Sequence, residues 1–101
     1  MYDKKQLQKL GKFAELAPEA WEKFVAFDQA ALADGAVSAK TKELIAVAVA
    51  LTTQCAYCID IHTKKARKAG NTDEEIAETI MVAAALRAGG AITHGTHCLE
   101  D

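Results

Sequence analysis

Eight consecutive apolar residues, Leu44 to Leu51, stand in the middle of the chain, and no other feature constrains the fold as much. A polar and charged lead-in from Ser38 to Glu43 precedes them, with Ser38 suited to an N-cap, and the alanine content favours helix over strand. No other segment reads as a partner strand, so the run is expected to be helical to about Thr53. A helix apolar on every side belongs at the centre of a bundle. The rest of the chain, punctuated by one proline and six glycines, also repeats its apolar residues at helical spacing. The expected class is all-α, a bundle of about five or six helices.

Asp3 to about Leu16 reads as an amphipathic opening helix with Leu7, Leu10 and Phe13 or Ala14 on one face. Pro18 suits the first turn of a second helix, with Trp21, Phe24, Val25 and Leu32 as its buried stripe and Gly35 as its stop. A fourth helix should run from near Cys55 to Gly70, with Lys64, Lys65, Arg67 and Lys68 complementing the dipole of its last turns. Thr72-Asp73-Glu74-Glu75 is a capping box opening a fifth, which Gly89-Gly90 should end. Residues 91 to 101 are expected to form a short helix or ordered tail.

With 101 residues, 50% hydrophobic and 26% charged, the chain has the composition of one compact domain over residues 1–101. A net charge of −2 leaves no basic surface for a phosphate backbone, so no nucleic-acid partner is expected. An apolar run of eight residues falls far short of the roughly 20 that span a bilayer, so no membrane segment is expected. The opening Met-Tyr-Asp-Lys-Lys-Gln lacks the apolar stretch of a secretory signal, which predicts a cytoplasmic protein. Only 6% of residues are aromatic, and a chain this short buries about two thirds of its unfolded surface. Assembly into a homo-oligomer is the expected source of further burial.

Chemistry concentrates in Cys55-Ala56-Tyr57-Cys58-Ile59-Asp60-Ile61-His62. On a helix at about 100° per residue, Cys55, Cys58 and His62 share a face. Free backbone N–H groups at the helix start favour a thiolate, the pair can close to a disulfide, and His62 can exchange a proton with a thiol. Glu43 lies on the preceding helix, and in a helical hairpin its carboxylate could orient His62. Zinc is the rival reading, held by Cys55, Cys58 and His62 or by the cysteines with His94, His97 and Cys98. Trp21, Phe24 and Phe27 read as packing or interface residues.

Lys42-Glu43-Leu44-Ile45-Ala46-Val47-Ala48, twelve residues from Glu43 to Cys55, and Cys-x-x-Cys-x-x-x-His together resemble the AhpD-like branch of the carboxymuconolactone decarboxylase superfamily. The resemblance is close from Glu43 to His62 and extends loosely from about Trp21 to Gly95. It implies an all-α fold assembled as a homotrimer or homohexamer. It further implies a thiol-dependent peroxidase or disulfide reductase whose catalytic residues are Glu43, Cys55, Cys58 and His62. No resident cofactor is implied. The substrate is then a hydroperoxide or disulfide, and reducing equivalents come from an external dithiol, a lipoyl or thioredoxin-like protein. In the founding alkylhydroperoxidase a second His precedes the second Cys, where this chain has Tyr57. The family points to Cys58 as the attacking sulfur, whereas helix-start pairs in general use the first cysteine. Superfamily members that only decarboxylate a lactone lack the cysteine pair, which leaves that activity, like a metal-binding or structural oligomer, as the alternative.

Overall fold

The computed structural model describes residues 3–101, so Met1 and Tyr2, part of the stretch read for a leader, lie outside it. Among the described residues every regular element is helical. The chain opens with a 3-10 helix, Lys4–Gly11, followed by α1 (Lys12–Leu16), α2 (Pro18–Leu32), α3 (Ala39–Thr53), α4 (Ala56–Lys68) and α5 (Asp73–Gly95). A last 3-10 turn, Thr96–Cys98, continues directly from α5.

Local capping explains most of these boundaries. The Ser38 hydroxyl accepts the Thr41 amide and starts α3, and Pro18 occupies the first turn of α2. At α5 both halves of the capping box form: Thr72 Oγ1 accepts the Glu75 amide at 3.1 Å, and Glu75 accepts the Thr72 amide at 2.9 Å. At the end of α4 the Asn71 amide reaches back to the Ala66 carbonyl and the Gly70 amide to Arg67, with Gly70 at φ 100°. That is a Schellman stop, which favours glycine at the left-handed position.

Three boundaries differ from the sequence expectations. The opening segment is wound as a 3-10 helix before it becomes α1, so it is not one α-helix from Asp3 to Leu16. The second helix stops at Leu32, and Gly35 lies in the bends that follow. Gly89-Gly90 does not end α5, which runs on to Gly95. Two interior glycines cost about 1 kcal/mol each relative to alanine, and cooperative propagation through a long helix outweighs that. The consequence is a helical run from Asp73 to Cys98, long and apolar enough by length and composition to cross a membrane, where the eight-residue criterion found no such segment.

The core lies where α3 packs against both α4 and α5, and it is built of small side chains: Val47, Ala50, Ala66, Ile76 and Ala83. Asn71 is buried among them, its amide donating to the carbonyls of Lys40 at 2.9 Å and Ala66 at 3.1 Å, which ties the start of α3 to the α4–α5 turn. The α2 stripe is not buried as expected. Of its residues Phe24 is 54% exposed, while Trp21, Val25 and Leu32 are half-buried; Phe27, outside the stripe, is 70% exposed. The aromatics instead cluster locally, Trp21 stacking on Phe13 at 5.4 Å and meeting Phe24 at 5.6 Å.

Candidate active site at the start of the fourth helix

A two-residue connection, Gln54 and Cys55, joins α3 to α4 and turns the chain sharply. Gln54 takes the left-handed conformation at φ 58°, and the Cys55 amide reaches back to the Ala50 carbonyl at 3.0 Å. Cys55 is then both the end of that turn and the N-cap of α4, its Sγ accepting the Cys58 amide at 3.2 Å. A backbone N–H aimed at this sulfur stabilises negative charge on it. Cys55 and Cys58 are joined as a disulfide.

The hairpin of α3 and α4 brings Glu43 beside His62, with Glu43 Oε2 2.9 Å from His62 Nδ1 and both side chains mostly buried. A carboxylate only accepts, so Nδ1 carries the proton and donates it, leaving Nε2 as the acceptor of the neutral ring. His62 stands one helical turn beyond Cys58, and the two line one pocket of about 390 Å³. Aliphatic side chains of α2, α3 and the segment between them make most of its wall, and Lys42 also lines it.

Cys58 also borders a second cavity of about 450 Å³, formed with Gln6, Leu7, Leu10, Tyr57 and Ile61. The N-terminal 3-10 segment closes that side: the Tyr57 hydroxyl accepts the Asp3 amide at 3.2 Å, and Lys4 pairs with Asp60 at 3.4 Å. Burial pushes the Asp60 carboxyl upward, but Lys4 and Lys64 outweigh it and hold the group below its ordinary value. Cys58 thus lines both cavities and Cys55 lines neither.

Residues 18–101 match the sequence profile of the carboxymuconolactone decarboxylase family. The chain belongs to that family. A family member from Legionella pneumophila, seen in its apo crystal structure, is 38% identical and superposes with a TM-score of 0.80, covering 92% of this chain and 83% of that one. A protein from Methanobacterium thermoautotrophicum is 35% identical with a TM-score of 0.81, covering 87% of this chain and 99% of its own. Uncharacterized protein 4 in the cox locus of Paracoccus denitrificans is 46% identical over 90 residues, 89% of this chain and 81% of that protein.

Of the residues named from sequence, Glu43, Cys55, Cys58 and His62 form this one cluster. His94, His97 and Cys98 do not join it; the two rings meet each other at 5.0 Å at the far end of the α5 run, and Cys98 is a free, exposed thiol. Among the described residues no three His, Cys, Asp or Glu side chains gather around a common metal position. Gln54, which sets the turn, and Lys42, which reaches the pocket, went unassigned in the sequence because both roles depend on contacts between elements. A polar residue followed by Cys-x-x-Cys at the end of an apolar helix is the available signal for the first.

Proposed function

We propose that this family member is a thiol-dependent oxidoreductase that reduces a hydroperoxide or a disulfide through Cys55 and Cys58. The observation that carries the reading is a disulfide at a helix N-terminus, opening onto the same pocket as a histidine held by a buried carboxylate.

In the reduced protein the Cys58 thiol gives its proton to Nε2 of neutral His62, and the thiolate attacks the terminal oxygen of a hydroperoxide. The S–O bond forms, the O–O bond breaks, sulfur loses two electrons, and the departing alkoxide takes a proton from protonated His62 to leave as an alcohol. Cys55 then attacks the Cys58 sulfur, expelling hydroxide that is protonated to water, and the disulfide closes. An external dithiol, lipoyl or thioredoxin-like, reduces it by exchange and is itself oxidised to a disulfide. The location of Cys58 on both cavities supports it as the sulfur that meets substrate, and the amide bond to Cys55 supports that residue as the better leaving thiolate. Glu43 fixes the tautomer and orientation of His62.

We further propose a cytoplasmic homo-oligomer, a trimer or hexamer, whose contacts cover the apolar surface of α2 and α5. The test is thiol counting with intact mass on reduced protein before and after one equivalent of hydroperoxide, for the wild type, Cys55→Ser and Cys58→Ser. Loss of two thiols in the wild type, a trapped sulfenic acid in Cys55→Ser and no reaction in Cys58→Ser are expected. Unreactive thiols in the wild type would sink the reading.

A further inference from the structure

The pocket beside Cys58 and His62 has aliphatic walls, Leu32, Val37, Ile45 and Val49 among them, and a single side chain of fixed charge, Lys42. The Lys42 side chain is half-buried with its ammonium bond on the exposed side, and among the described residues it forms no ion pair with a carboxylate. Its neighbour Glu43 is engaged by His62, and Asp34 accepts the Ala39 amide at 2.6 Å. The one bond Lys42 makes is to the Ala33 carbonyl at 2.6 Å, which leaves two of its three N–H donors unused. An ammonium at the rim of an apolar pocket, with free donors, is a natural partner for an anionic ligand group. No side chain supplies one here.

From this geometry we infer that the pocket takes a ligand with an aliphatic body and a carboxylate end, the carboxylate held by Lys42 and the body lying along α3. Resting on the peroxidase reading, the substrate class becomes aliphatic hydroperoxides that carry a carboxylate, with the peroxide oxygen presented to Cys58 and His62. Without such an end, a small neutral hydroperoxide gains nothing from Lys42. The pocket volume of about 390 Å³ fits a short-chain ligand, at the lower end of the ~300–1,000 Å³ common for small-molecule sites.

Two unreactive probes of matched chain length test the ligand class independently of turnover. Octanoate and octanol are titrated calorimetrically into wild type, Lys42→Gln and Lys42→Arg. Wild type should bind octanoate about tenfold more tightly than octanol, as expected for a charge-assisted hydrogen bond. Lys42→Gln should abolish that preference and Lys42→Arg should keep it. Equal affinity for the two probes in wild type, a preference that survives Lys42→Gln, or no octanoate binding overturns the inference. If Lys42 only caps the end of α2, Lys42→Gln weakens both probes alike, which also overturns it. In the activity arm, KM for a carboxylate-bearing hydroperoxide should rise about tenfold in Lys42→Gln while KM for cumene hydroperoxide stays unchanged. Lys42-dependent octanoate binding by a protein that consumes no hydroperoxide upholds the ligand class and removes only the peroxidase reading.

Discussion

Gln54 and Gly70 are the described residues with left-handed backbones, Gln54 at the end of α3 beside Cys55 and Gly70 just after α4. Gly70 has open space where a side chain would go, so the cost of Gly70→Ala comes from its φ of 100° alone. That cost should be about 1 kcal/mol or more, read as a lower denaturation midpoint at constant slope. An unchanged midpoint would mean the turn can relax into an ordinary conformation. Glu43→Gln addresses the site itself. It keeps the shape of the contact at 2.9 Å but replaces an acceptor-only carboxylate with an amide that can turn its NH2 toward Nδ1, so the tautomer and orientation of His62 are no longer fixed. Peroxide consumption should fall by roughly 10²-fold, and thiol content should stay that of the wild type. Equal loss of structure and activity would make Glu43 a packing residue. That Glu43, Cys55, Cys58 and His62 come together was legible because their spacing is local to one hairpin: Cys55, Cys58 and His62 lie at the start of one helix, and Glu43 sits on the adjoining helix. Lys42 was not, because its role depends on the carbonyl of Ala33 and on a pocket formed by three separate elements.

At the scale of elements, the starts of α2 to α5 were readable, while the start of α1 and several helix ends were not. Ser38, Pro18 and the Thr72 box act on neighbouring amides within one turn, so their chemistry is complete in the sequence. The persistence of α5 through Gly89-Gly90 depends on the length of helix on either side, which no dipeptide signal contains. The Glu75 cap also sets a pH dependence. The Thr72 amide hydrogen bond, with Lys40 at 3.8 Å, holds the Glu75 carboxyl below its ordinary value of 4.5. Because the folded value is the lower one, this stabilisation is complete above the ordinary value and is lost as pH falls through the folded one. Melting temperature between neutral and acid pH should therefore fall more steeply in the wild type than in Glu75→Gln, whose amide caps without titrating. Parallel curves for the two proteins would assign the acid sensitivity elsewhere.

The molecule as a whole is more extended than a chain of its size should be. Its radius of gyration is 16.9 Å against the ~13 Å of a compact 100-residue domain, and one axis reaches 56 Å. A compact monomer of 10.8 kDa exposes about 5,500 Å², whereas this chain exposes 7780 Å². The excess, roughly 2,000 Å², is comparable with what one protomer buries in an obligate assembly. It is concentrated in apolar side chains: Phe27, Met81, Leu86 and Ile92 are each at least 67% exposed. The apolar pattern on α2 was legible in the sequence, but whether its residues pack within the chain or against another was not, since periodicity marks an apolar face without telling which chain covers it. The homo-oligomer proposed above accords with the sequence of α5, which carries no Asp, Glu, Lys or Arg between Glu78 and Arg87 and none from there to its end. Light scattering coupled to size exclusion should return a multiple of 10.8 kDa for the wild type. Ile92→Lys, which places a charge on a surface 76% exposed in the single chain, should shift the protein toward smaller species without unfolding α3 and α4. A monodisperse wild-type monomer would leave α5 to another apolar environment, and detergent or vesicle association of that monomer would then identify the membrane as what covers it.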